Sequence, residues 1–251
     1  MAIPLLPSFS LLRGFLPPAT SLLLVVQAHA GLVLHYTFDE TSGTTAADSS
    51  GNGNTGTLTN MTGSEWTTGR IGGGALGFDG SNDYVVMSGS FPAGSNARSV
   101  SAWFKASSFA YGGGFGAWRS IVGWGTDSWG QLFDIATSTN KLYWHDYTFA
   151  SFEGSTALST DTWYHVAATY DGSNKILYLN GSVDGTGSGS LSTTSGNGKV
   201  GRQADFNNNF LSVFNLLESR GVISVAQRAE YISRIRDLTK GVGQIWLDTQ
   251  D

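Results

Sequence analysis

Between Gly31 and about Arg202 the chain alternates short apolar runs with clusters of Gly, Ser, Asn and Asp. The runs LVLHYTF, ALGFDG, DYVVM, SVSAWFKA, RSIVGWG, QLFDIA and KLYWHDY each have the length of a strand, and no long helical periodicity interrupts them. Such spacing predicts an all-β protein, a two-sheet antiparallel jelly-roll sandwich. The stretch WYHVAATYDGSNKILYLNGSVDG, from Trp163 to Gly185, shows the pattern in detail. Asp171-Gly172-Ser173-Asn174 and Asn180-Gly181 place residues that tolerate positive φ between apolar runs, so three strands form an antiparallel meander. With side chains alternating at period two, Trp163, His165, Ala167 and Thr169 share one face and Tyr164, Val166, Ala168 and Tyr170 the other. Apolar groups on both faces fit a strand covered on both sides, or a sandwich strand whose second face lines an aromatic groove.

After about Asp205 the pattern changes. Val222, Val225, Ala226, Ala229 and Ile232 recur at helical spacing, Ser219 is a candidate cap, and Gly241 a candidate stop. This predicts an amphipathic helix appended to the β domain, lying on the sandwich. The N-terminal stretch has a different character again. Arg13, an apolar run ending in Ser21-Leu-Leu-Leu-Val-Val26, and Ala28-His29-Ala30 fit a secretory signal cleaved after Ala30. Pro17 and Pro18 break that run, and the apolar stretch after them is too short to span a bilayer. The expected organisation is a signal over 1–30, a jelly-roll domain over 31–209 and a helical tail over 210–251, in a secreted, cell-surface or periplasmic protein.

Composition narrows the function. Charged residues make up 13% of the chain, which carries 34 Gly and a net charge of −5, so no basic patch offers itself to nucleic acid or anionic lipid. There is no Cys, which leaves stability to the sandwich core and removes thiolate zinc sites.

The segments FDE (Phe38 to Glu40), DSSGNGNTGTL (Asp48 to Leu58), GRIGGGALGFDGSNDYV (Gly69 to Val85), SVSAWFKA and WYHVAATYDGSNKILYLNG succeed one another in a recognisable order. Over Leu32 to about Asn209 the chain resembles the laminin-G-like, concanavalin-A-like jelly-roll domains of secreted proteins. That resemblance implies two antiparallel sheets packed face to face and a module that binds glycans or proteins, often as an accessory of a larger enzyme. It also implies a structural calcium near the Gly-rich loop at Asp48, with Asn52 and Asn54 as further oxygen donors. An Asx-turn cluster is the competing reading of that loop, because Asp and Asn also cap their own backbone. One departure stands out. The family closes with a strand reading like I-D-E-V-R-I-Y-N-R-A-L, where this chain reads LSVFNLLESRGVISVAQ. Either the tail has diverged or a change of reading frame has replaced it. A missing strand would leave an open edge beside the first strand, for which the tail helix is a candidate cover.

Catalytic chemistry finds little support. Glycoside hydrolysis needs two facing carboxylates, whereas Asp39 and Glu40, the nearest pair, are adjacent on a strand and point to opposite faces. His35, His145 and His165 stand singly, and no Gly-x-Ser-x-Gly places a nucleophile. Aromatic residues, by contrast, concentrate from Phe109 to Phe152. Sugar rings stack their C–H faces on such rings while polar neighbours take the hydroxyls. Trp103, Trp144 and Trp163 lie in strong strand patterns and are expected in the core. Tyr111, Trp118 and Trp129 sit in Gly-rich sequence, and with Tyr143, His145 and Tyr147 they form the candidate contact set. Trp118 and Trp129 are expected on one rim. The resulting expectation is a non-catalytic, lectin-like module for a polysaccharide or glycan, with no nucleic-acid partner and no membrane span. The alternatives are a structural or adhesion module with a protein ligand, or a fragment of a larger polysaccharide-degrading enzyme.

Overall fold

The computed structural model describes residues 31–109 and 118–203 in full and the backbone of 212–220. Among the described residues sixteen strands succeed one another: β1 (Leu32–Tyr36), β2 (Thr45–Ala46), β3 (Gly56–Thr59), β4 (Trp66–Thr68), β5 (Gly74–Gly77), β6 (Tyr84–Met87), β7 (Arg98–Ala106), β8 (Trp118–Gly125), β9 (Leu132–Ser138), β10 (Lys141–His145), β11 (Phe152–Glu153), β12 (Trp163–Tyr170), β13 (Asn174–Leu179), β14 (Ser182–Ser188), β15 (Gly198–Val200) and β16 (Ser212–Arg220). They form two antiparallel sheets. The first runs β14-β13-β12-β7-β16-β5-β4 with β1 paired to β16, and the second runs β11-β10-β9-β8-β15-β6-β3-β2. Among the described residues there is no helix, so none is long and apolar enough to cross a membrane.

The core lies between the sheets and obeys the period-two rule. From the first sheet Leu34, Tyr36, Val100, Ala102, Phe104, Val166, Ala168 and Leu177 point inward, and from the second Val85, Phe133, Ile135, Leu142, Trp144 and Val200. The β12–β14 meander forms as its turns require. Asp171 Oδ1 accepts the N–H groups of Ser173 and Asn174 at 2.9 and 2.6 Å, and Asn180 and Gly181 both take positive φ, 48° and 80°.

Two expectations need correction. Trp144 is core, but Trp163 is not. β12 pairs Trp163 with Lys105 and His165 with Trp103, which puts these four on the outward face, while Tyr164, Val166, Ala168 and Tyr170 take the core. Trp163 is half-buried beneath the Lys105 ammonium at 5.4 Å, and Trp103 is buried, its ring tilted against that of His165 at 5.3 Å. Burial alone lowers the His165 pKa to about 4, so the ring stays neutral at neutral pH. Trp144→Ala is therefore expected to cost about 3–5 kcal/mol through core loss, and Trp163→Ala only about 1–2 kcal/mol; paired thermal melts of the two variants check the difference.

The second correction concerns the closing strand. Residues 212–220, which do not resemble the family's closing sequence, nevertheless form β16, hydrogen-bonded to β7 on one side and to β5 and β1 on the other. The edge expected beside β1 is filled by a strand. The helix expected from Ser219 to Lys240 lies outside the described residues, except that Ser219 and Arg220 belong to β16. The expected signal over 1–30 also lies outside them.

Candidate binding site

Cross-strand register gathers a set of side chains on the outward face of the second sheet. Ser120 of β8 and Tyr143 of β10 both pair with Ala136 of β9, and His145 pairs with Asp134. Trp118 opens β8 two residues before Ser120, on the same face. A register shift between Ser120 and Val122 marks the bulge where β8 returns to the core pattern.

At the centre of this set Asp134 is fully buried. Its Oδ1 accepts the Ser120 hydroxyl at 2.5 Å, and its Oδ2 faces His145 Nδ1 at 3.7 Å, too long for a hydrogen bond. Neither of those two facing atoms has a hydrogen-bond partner. Burial pushes the Asp134 carboxyl above the ordinary carboxylate range, against the pull of His145 and Ser120.

A layer of rings lies over this polar pair. The Trp118 ring sits 4.3 Å from His145 and 6.1 Å from Tyr143, Tyr143 stacks on His145 at 5.8 Å, and Tyr147 lies 5.9 Å from His145. Trp118 is held in place, since its Nε1–H donates to Oε1 of the buried Gln203, whose Nε2 donates to Asp127 Oδ1 at 2.7 Å. Trp118 and Tyr143 are half-buried and Tyr147 is 37% exposed. Tyr147 also takes φ 60°, a left-handed conformation that a bulky residue adopts only under constraint.

The constraint comes from Asp146. Its buried carboxylate accepts Trp144 Nε1–H at 3.1 Å, Thr148 N–H at 3.1 Å, the Thr148 hydroxyl at 2.6 Å and the Ser151 hydroxyl at 2.9 Å, and it pairs with the buried Lys175 ammonium. The 146–151 turn is thereby fixed, with Phe149 at its tip 97% exposed. Trp129, 58% exposed, meets Phe149 edge to face at 4.9 Å. Its own turn is pinned by the Ser192 and Thr194 amides, which donate to Gly130 and Gln131 carbonyls.

Of the expected contact residues, Trp118, Tyr143, His145 and Tyr147 come together. Trp129 does not join them. Its ring meets Phe149 and none of these four, while Trp118 is linked through Gln203 to Asp127, two residues before Trp129. Tyr111 lies outside the described residues. Phe149 escaped the sequence reading; its signal was a lone Phe in the polar turn Tyr147-Thr-Phe-Ala-Ser151, directly after an acid.

Two catalytic arrangements do not fit the geometry of this face. Ser120 is bonded to Asp134 and not to His145, so the imidazole cannot take the hydroxyl proton as a Ser-His-Asp site requires. Asp134, though an acid of raised pKa, is sealed from solvent and cannot reach a glycosidic oxygen. At the Asp48 loop both carboxylate oxygens are engaged, by the amides of His35, Ser50 and Asn54 and the Ser50 hydroxyl. Asn52 and Asn54 turn their amide nitrogens to the carbonyl of Val33. A cation there would have to displace these donors, and among the described residues no three acidic or His side chains converge on a metal site.

Comparison with known proteins adds three kinds of likeness. The family described as the concanavalin A-like lectin/glucanases superfamily matches residues 79–213. A second family, the glycyl-tRNA synthetase alpha subunit, matches residues 204–251. Among solved structures, domain 4 of AbnA, a GH43 extracellular arabinanase from Geobacillus stearothermophilus seen with arabinotriose, is similar at TM-score 0.61 and 20% identity, over 84% of this chain and 98% of that one. The binding domain of paraclostridial mosquitocidal protein 1 is similar at TM-score 0.60 and 15% identity, over 83% of this chain and 52% of that one. The sialidase of Trypanosoma rangeli, in complex with sialic acid, is similar at TM-score 0.58 and 12% identity, over 83% and 32%.

Proposed function

Given that the chain belongs to the concanavalin A-like lectin/glucanases superfamily, we propose that it is a non-catalytic module that binds a polysaccharide through the outward face of β8–β10. The observation that carries this reading is the partly exposed ring layer of Trp118, Tyr143 and Tyr147 over a buried polar pair with unmet hydrogen-bonding capacity. The rings offer stacking surfaces for sugar C–H faces, and the tethered indole is pre-organised, which reduces the entropy lost on binding. The arabinotriose complex of the similar arabinanase domain supports the ligand class, and the signal-like N-terminus supports a place outside the cell.

Affinity electrophoresis through gels cast with arabinan, xylan, β-glucan and other polysaccharides tests the reading. One of them should retard the protein. Trp118→Ala should weaken that retardation about tenfold, through lost stacking and lost tethering, with no reducing sugar released by any variant. Trp129→Ala and Phe149→Ala should leave melting within about 0.5 kcal/mol of the parent, as exposed positions do. A protein ligand becomes the better reading if no polysaccharide retards the chain, and the exposed Phe149, an apolar tip, is the observation that favours it. Calcium at the Asp48 loop belongs to the same proposal: melting should rise by several degrees over a chelated sample if the ion binds, and superimposable curves would leave the loop an Asx-turn cluster.

A further inference from the structure

β16 occupies the interior of the first sheet, hydrogen-bonded to β7 along one edge and to β5 and β1 along the other. The superfamily match ends at residue 213, whereas the match to the glycyl-tRNA synthetase alpha subunit begins at 204 and takes in the whole strand. A segment similar to a second, different family thus lies within a jelly-roll sheet. Main-chain pairing is what admits it, because N–H and C=O groups on both flanks are met whatever side chains the strand carries.

We propose that the slot between β7 and the β5/β1 edge is a strand-acceptor site, able to take an extended peptide from another polypeptide in place of β16. The register states the chemistry of the occupant. Position 214 lies between Phe104 and Leu76, position 217 between Ala102 and Tyr36, and position 219 between Val100 and Leu34. All six flanking residues belong to the buried core. Position 218 lies between Ser101 and His35, in the opposite register. The slot therefore selects an extended strand that is apolar at three core positions and polar between them. A register shift between Asn215 and Leu217 brings Phe214 and Leu217 both to core positions and keeps Glu218 off them. Ser219 is the misfit, a polar residue in register with Val100 and Leu34, and a strand with Val there suits the slot better than β16 does.

The test uses the full chain carrying Leu217→Pro, which removes a ladder N–H from the middle of β16. The probes are a fluorescein-labelled peptide LSVFNLLESRG, residues 211–221, and the same peptide carrying Ser219→Val. The variant should melt several degrees below the parent, bind the peptide saturably and recover most of the lost transition, since a ligand for the folded state alone stabilises by mass action. The Ser219→Val peptide should bind about tenfold tighter through its added apolar burial. Parent-like melting of Leu217→Pro, or saturating peptide that neither binds nor shifts the transition, overturns the proposal. Should the variant fail to fold alone, the parent is unfolded and refolded in excess labelled peptide: label retained on the folded chain after gel filtration supports the slot, and folded chain free of label overturns it.

Discussion

Lys175→Ala is expected to destabilise the protein by about 3–5 kcal/mol, because it strips the partner from a buried carboxylate. Lys175 and Asp146 are both sealed from solvent and in direct contact. The damage should extend to the binding face, since the same carboxylate holds Thr148 and Ser151 and so shapes the turn that carries Tyr147 and Phe149. A Lys175→Met/Asp146→Asn double variant removes both charges and should recover much of the loss, which a double-mutant cycle by urea unfolding would show. The pH dependence has a definite sign. Hydrogen bonds and the Lys175 charge overcome burial and hold the Asp146 carboxyl below the ordinary carboxylate range. Its contribution is thus complete above that range and is lost as pH falls through the lowered value. Parent stability should therefore drop on acidification in a way that Lys175→Met does not reproduce.

Asp134→Asn is expected to do the reverse, raising stability by about 1–3 kcal/mol, the cost of a buried polar group left without its partner. Burial lifts the Asp134 carboxyl above its unfolded value, so below the ordinary carboxylate range the group is protonated in both states and exerts no pH-dependent effect. As pH rises from the ordinary carboxylate range towards the lifted value, the unfolded chain gives up its proton while the folded one keeps it, so stability falls across that window and levels off above it. The gap between variant and parent should widen from acid to neutral pH. Retardation by polysaccharide should weaken in the same variant if the unmet Oδ2 and His145 Nδ1 serve a ligand, a trade of stability for function. Urea unfolding across pH, run beside affinity electrophoresis, checks both halves. A gap that does not widen with pH would mean that folding does not raise the Asp134 pKa.

The sandwich was legible in the sequence because its signals are local. Asn180-Gly181 and the Asp171 turn fix a meander by backbone conformation alone, and period-two alternation separates two faces of β12. Which face meets the core is not local. Trp163 and Tyr164 are both large, and only the packing of the second sheet decides that Tyr164 turns inward. The same limit applies to the binding face. Tyr143, His145 and Tyr147 were visible as an aromatic cluster, but their meeting with Trp118, Asp134 and Ser120 depends on register among three strands. The eleven residues between Trp118 and Trp129 do not say which rings each will meet, His145 for the first and Phe149 for the second. β16 was missed because its residues do not spell the family's closing strand, whereas the place they take is defined by backbone partners on β7 and β1.

The pairing of Leu32 with Arg220 ties the first of the described strands to the last, and it sets the order of assembly. β1 cannot reach its place until the chain through Arg220 is available, since among the described residues its partner strand is β16. Meanwhile β8–β10 and β12–β14 can close on near neighbours, so hairpins form early and the first sheet is completed late. Long-range closure of this kind makes for slow folding. Through that interval the β7 edge stands open on a partly built sandwich, the state most exposed to misassociation with other nascent chains.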